Sequence, residues 1–183
     1  MTTSGVKVVP HNPGWKKGFE AEAELVAAAL GENVIAIHHI GSTAIPNIYA
    51  KPVIDLLVEV GDLAGVDDRR LAMESLGYES KGEFGIVGRR YFRKDNHEGV
   101  RTHQLHTFAT GSQQIRRHLL FRDYLIAHPD EAKQYSDLKK RLAENHPHSM
   151  EAYITGKDGF IKEIDLRAER WNEVNLENRP SLS

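Results

Sequence analysis

The segment Ile54-Asp-Leu-Leu-Val-Glu-Val60 sets an acid inside an otherwise apolar, β-rich run. An ionised carboxylate in such a strand is expensive unless it meets a cation or a strong hydrogen-bond donor, so Asp55 has to face a cleft. Alternation places Asp55, Leu57 and Glu59 on one side of the strand and Ile54, Leu56, Val58 and Val60 on the other. A strand over Val53 to Val60 with one face buried then demands a sheet around it.

The chain before it supplies the other half of the cleft. Val34-Ile-Ala-Ile-His-His-Ile40 reads as a strand that ends in Gly41-Ser-Thr43, and a short helical turn is expected over Asn47 to Lys51. A strand ending in Gly-Ser exposes backbone N–H groups and a hydroxyl, and the missing glycine side chain lets a phosphate approach closely. Gly41, Ser42 and Thr43 are therefore candidate phosphate ligands, joined by Lys51 on the loop that enters the next strand. Asp55 is the candidate metal ligand. Glu59 shares its face about 7 Å further along, by the rise of a strand, and is the candidate second ligand.

Elsewhere the pattern alternates between short strands and longer helices. Trp15, Phe19, Ala23, Val26 and Leu30 recur at helical spacing, which predicts a helix over Gly14 to Leu30. A helix is expected from Asp67 to Leu76, then a hairpin of Ile86 to Arg93 with Val100 to Ala109. After residue 111 the chain turns helical. Ser112 is a plausible N-cap for a helix to about Ala127, Pro129 and Asp130 open another to His146, and two more are expected at Glu151 to Thr155 and Lys157 to about Val174. The class is α+β, a small mixed β-sheet with flanking helices and a helical C-terminal half.

With 183 residues, 24 Lys plus Arg against 26 Asp plus Glu, and a net charge of −2, the chain carries no global field toward nucleic acid or an anionic membrane. Arg116, Arg117, Lys139, Lys140 and Arg141 are interleaved with acids and Gln, lack an aromatic platform, and read as solvated faces. No cysteine is present, which rules out disulfides and thiolate zinc. No apolar run approaches the ~20 residues of a membrane span, and Met1 to Lys7 lacks the apolar core of a signal peptide. The expectation is a cytoplasmic protein with one domain over residues 1–177 and a disordered tail over 178–183.

Several motifs together resemble the GrpB family of the nucleotidyltransferase superfamily, whose members include polymerase-β-like enzymes. They are Pro10-His-Asn-Pro-Gly-Trp15, His39-Ile-Gly-Ser-Thr-Ala-Ile-Pro46, Ala50-Lys-Pro-Val-Ile-Asp55, Arg89-Arg-Tyr-Phe92, His103-Gln-Leu-His106 and Phe121-Arg-Asp-Tyr-Leu125, with Tyr153, Lys157 and Phe160 beyond. The resemblance implies a nucleotidyltransferase-like fold and Mg²⁺- or Mn²⁺-dependent attack of an acceptor on the α-phosphate of a nucleoside triphosphate. The superfamily usually places a second acid two residues after the first, where this chain has Leu57. The later strand, often the source of a third acid, offers His103 and His106. These differ by three along a strand and face opposite ways, so only one can enter the cleft; His106 is the candidate base or ligand. Arg89 and Arg93 share a face, and Arg89 is the candidate phosphate clamp. Two other functions compete: a nucleotide-binding protein without turnover, which Leu57 favours, and a histidine and carboxylate metal hydrolase.

Overall fold

The computed structural model describes residues 5–178. The strands β1 (Val34–Ile40), β2 (Ile54–Val60), β3 (Tyr78–Ser80), β4 (Arg89–Asp95) and β5 (Arg101–Ala109) form a sheet of order β1-β2-β5-β4-β3. β2 and β5 run parallel, and the remaining neighbours are antiparallel. The helices are α1 (Gly14–Leu30), α2 (Leu63–Asp68), α3 (Arg70–Ser75), α4 (Gln113–Ala127), α5 (Pro129–Asn145) and α6 (Met150–Glu177). This is the expected α+β class, a mixed sheet followed by a helical half. None of the described helices is long and apolar enough to cross a membrane.

The alternation along β2 divides the apolar residues between the two faces of the sheet. Leu56, Val58 and Val60 pack with Leu105 and Phe92 under Trp15, Val26 and Leu30 of α1. On the other face Ile40, Leu57 and Phe108 meet Ile115 of α4. A third cluster joins α4, α5 and α6 to the turn after β1 through Ile45, Ile48, Leu125, Tyr135 and Ile164. That cluster clamps the helical half over the end of the sheet where β1 stops and β2 starts.

Local chemistry sets the helix boundaries. Ser112 and Ser149 accept hydrogen bonds from the backbone N–H groups of Gln114 and Ala152 at the starts of α4 and α6, and Pro129 opens α5. Asp62 caps α2 through Gly65 N, so the helical stretch begins earlier than expected and breaks at Arg69 into two. The strand expected from Ile86 begins only at Arg89, because residues 86–89 make a turn in which Arg89 N donates to Ile86 O and Gly88 takes a left-handed backbone. Asn47 is also left-handed, and residues 47–51 form no helix. β3, which pairs with β4, was not expected. The two final helices expected are one, α6, which runs through Gly156 and Gly159. Past Asn178 the expected tail lies outside the described residues.

Candidate functional site

Ile40, the last residue of β1, pairs with Asp55 near the start of β2. Gly41 follows with φ 72°, and a Cβ on it would lie 2.5 Å from Asp55 Oδ2. Only glycine lets the turn pass this close to the carboxylate. Ser42 then opens a single 3₁₀ turn, and Gly41, Ser42 and Asp55 line one cavity of about 160 Å³.

The opposite wall is cationic and aromatic. Lys51, Tyr135, Tyr153 and Lys157 line the same cavity. Behind Tyr135, Lys139 is 1% exposed, its Nζ has no hydrogen-bond partner, and it lies 4.4 Å from the Tyr135 ring centroid. Lys157 Nζ sits 4.5 Å over the Tyr153 ring, with Lys51 Nζ 5.7 Å from the same ring. Burial, reinforced by repulsion from Lys157 and Lys51, pulls Lys139 down to about 7. Burial and Lys51 bring Lys157 to about 8, and burial lowers Lys51 as well. Asp55 opposes the shifts of Lys51 and Lys157, but no carboxylate offsets Lys139. Burial also pushes the Tyr135 hydroxyl up to about 12. Lys51 and Lys157 thus share a half-enclosed space with one carboxylate, and the uncompensated Lys139 behind Tyr135 adds to an excess of positive charge, the electrostatic complement of a polyanion.

His106 lies one strand over, its Nε2 3.5 Å from Asp55 Oδ1 and its Nδ1 3.5 Å from an Arg89 terminal nitrogen. A guanidinium can only donate, so Nδ1 keeps its lone pair and the ring proton sits on Nε2, toward Asp55. His106 is therefore arranged to orient Asp55, and it is poorly arranged as a base.

The remaining sequence candidates are placed elsewhere. Arg89 is buried and spends its Nε on Glu83 O and an Nη on Phe84 O, so its fork holds the 82–88 loop and does not clamp a phosphate. Thr43 turns its hydroxyl to His39 Nε2 at 2.9 Å, away from the cavity, as the 3₁₀ turn dictates. Glu59 accepts from Thr110 Oγ1 at 2.5 Å and lies 3.9 Å from His38; Leu57 separates it from Asp55, so it does not join Asp55 as a ligand. His103 faces α1, 4.0 Å from Glu22. Among the described residues no three His, Asp or Glu side chains converge as a metal cage. The hydrolase reading needs Asp55 with two histidines, and the opposite orientations of His103 and His106 deny it that.

Lys139 is the residue that sequence reading misses, since it was assigned to a solvated face. The signal was in the helix period: Ala132, Tyr135, Ser136, Lys139 and Ala143 fall on one stripe of α5, and that stripe is the buried one. A lysine on the apolar stripe of a helix marks a buried charge.

The model of the GrpB protein family matches residues 5–167. The chain belongs to the GrpB family. It is 48% identical over 168 residues to the UPF0157 protein YqkA of Bacillus subtilis, covering 92% of this chain and 48% of YqkA, so it spans about half the length of that relative. The crystal structure of GrpB from Enterococcus faecalis superposes with a TM-score of 0.85 at 44% identity, covering 90% of this chain and 99% of that one. A more distant likeness is to the Cid1 poly(U) polymerase in its MgGTP-bound structure, with a TM-score of 0.53 at 14% identity, covering 74% of this chain and 44% of Cid1. The GrpB fold is therefore nucleotidyltransferase-like.

Proposed function

We propose that this GrpB protein binds a nucleoside triphosphate through its phosphates, together with Mg²⁺ or Mn²⁺, and transfers the nucleotidyl group to an acceptor molecule. The observation that carries this reading is that Lys51 and Lys157 line one cavity with Asp55 and the Gly41-Ser42 turn, while the buried Lys139 stands uncompensated behind Tyr135. Crowded buried cations raise the energy of the empty site, and a polyphosphate relieves that cost when it binds. The likeness to a polymerase seen with MgGTP supports the same ligand class.

One carboxylate suits a magnesium ion that arrives on phosphate oxygens, since Mg²⁺ usually takes only one or two carboxylates from the protein in nucleotide sites. Asp55 would hold it, with His106 fixing the carboxylate's orientation, and the ion would withdraw charge from the phosphates. In the transfer an acceptor oxygen bonds to the α-phosphorus and loses its proton to solvent, while pyrophosphate leaves with the electron pair of the broken P–O bond. The lysines would offset the negative charge that builds on that leaving group.

Leu57 favours a second reading, in which the nucleotide is bound but not turned over. Calorimetry and a pyrophosphate-release assay over the common NTPs, with Mg²⁺ and Mn²⁺, test both. Asp55→Asn is expected to keep the fold and to lose most of the metal-dependent part of the affinity, about tenfold or more. Unchanged metal dependence in the folded variant would remove Asp55 from the site. Release of pyrophosphate by the wild type selects transfer; tight binding without release selects the second reading.

A further inference from the structure

The phosphate cavity, at about 160 Å³, falls below the roughly 300–1,000 Å³ of ordinary small-molecule sites. It can enclose phosphates, and a nucleotide seated there must carry its nucleoside out of it. A second cavity of about 380 Å³ adjoins it, with Lys51, Val53 and Gln104 lining both. The second cavity runs between the β4–β5 hairpin and the first turns of α6, and its lining includes Val100, Met150 and Ile154. These three are 42%, 40% and 54% exposed, so large apolar side chains from two distant parts of the chain lie open to water along one groove. Lys51 marks the junction, its Nζ 3.6 Å from Met150 Sδ.

We propose that this groove is the nucleoside subsite for the nucleotide whose phosphates rest on the lysines, an inference that builds on the function proposed above. The base lies against Val100, Met150 and Ile154, apolar walls without ring edges of their own, where a thioether adapts to either size of base. Gln104 pairs with Asp55 in the β2–β5 register. Its backbone stands one strand spacing, about 4.8 Å, from that of Asp55, beside whose carboxylate the α-phosphate is expected. The next unit of the nucleotide is the ribose, and the Gln104 amide, both donor and acceptor, suits its hydroxyls. With apolar walls reading the base and one amide reading the sugar, the site discriminates poorly among bases and better for a ribose.

The test compares inorganic tripolyphosphate with ATP and UTP, titrated in excess Mg²⁺ into the full chain and into a Val100→Gln, Ile154→Gln variant. Both substitutions are neutral and lie at exposed positions, so neither the fold nor the charge of the phosphate cavity should change. The expected result is an unaltered Kd for tripolyphosphate and about tenfold weaker binding of both nucleotides. Equal affinities of wild type and variant for ATP and UTP, with tripolyphosphate binding intact, overturn the nucleoside assignment alone. No binding of tripolyphosphate to the wild type overturns the phosphate reading and this inference with it.

Discussion

Leu57 stands where the resemblance to nucleotidyltransferases implies a second acid. It is fully buried, packed with Ile40, Phe108 and Ile115, so the place of the usual second acid is part of the contact between the sheet and α4. Leu57→Asp should therefore cost about 4 kcal/mol or more, from lost packing and a carboxylate without partners, and should add no Mg²⁺ affinity. Chemical denaturation and a metal titration of the variant check both halves; a stable variant with tighter Mg²⁺ binding would mean the site readily accepts the second acid. The residues whose positions were legible beforehand, Gly41, Ser42, Lys51, Asp55 and His106, depend on strand alternation and the turn that joins β1 to β2. Those misplaced depend on something further. Thr43 follows the sense of a 3₁₀ turn, Arg89 is captured by carbonyls of a left-handed loop, Glu59 is cut off by a core leucine, and Lys139 needs to be seen on the packed face of α5.

Among the elements, α1, β1, β2, β5, α4 and α5 were legible because their apolar period or their caps are strong. β3 is only three residues long and carries no period of its own. The two helices expected over α6 part at Gly156, yet neither Gly156 nor Gly159 has a left-handed backbone. They serve different ends. A Cβ at Gly156 would run into the side chain of Leu142 on α5, whereas one at Gly159 would meet nothing within 4 Å. Gly156 thus sets how closely α6, which carries Tyr153 and Lys157, approaches α5, which carries Tyr135 and Lys139. Gly159→Ala should stabilise the protein by ~0.5–1 kcal/mol through helix propensity. Gly156→Ala should destabilise it by ~1 kcal/mol, as overpacking outweighs the same propensity gain. Equal effects of the two substitutions in denaturant melts would mean that the α5–α6 contact is slack.

At the scale of the whole molecule, the three lysines come from a loop, α5 and α6, and only the closure of the helical half over the sheet brings them together. Folding therefore drives protons off lysines. Lys139 at about 7 and Lys157 at about 8 lie far below their ordinary 10.5, so between about pH 7 and 10.5 the unfolded chain binds more protons than the native one. Stability then rises with pH through that window, and the penalty is largest below it. The buried histidines act in the same direction at lower pH. Burial holds His39 at about 4 and His118 at about 3, so stability also falls as the pH drops below 6.5. A bound polyanion reverses the lysine effect by returning protons to the ammonium groups. Its binding should take up protons near pH 8, and its affinity should decline as the pH rises to 9.5. Lys139→Met should then separate stability from function. Without ligand it should be more stable than the wild type at pH 7, by ~1–3 kcal/mol on the scale of buried-charge replacements, with a flatter pH profile. It should also bind tripolyphosphate at least tenfold more weakly. Thermal melts at several pH values, and calorimetry in buffers of different ionisation enthalpy, read each part. A variant that is less stable at pH 7 and binds the anion as before would mean that Lys139 serves packing and carries no charge toward the ligand.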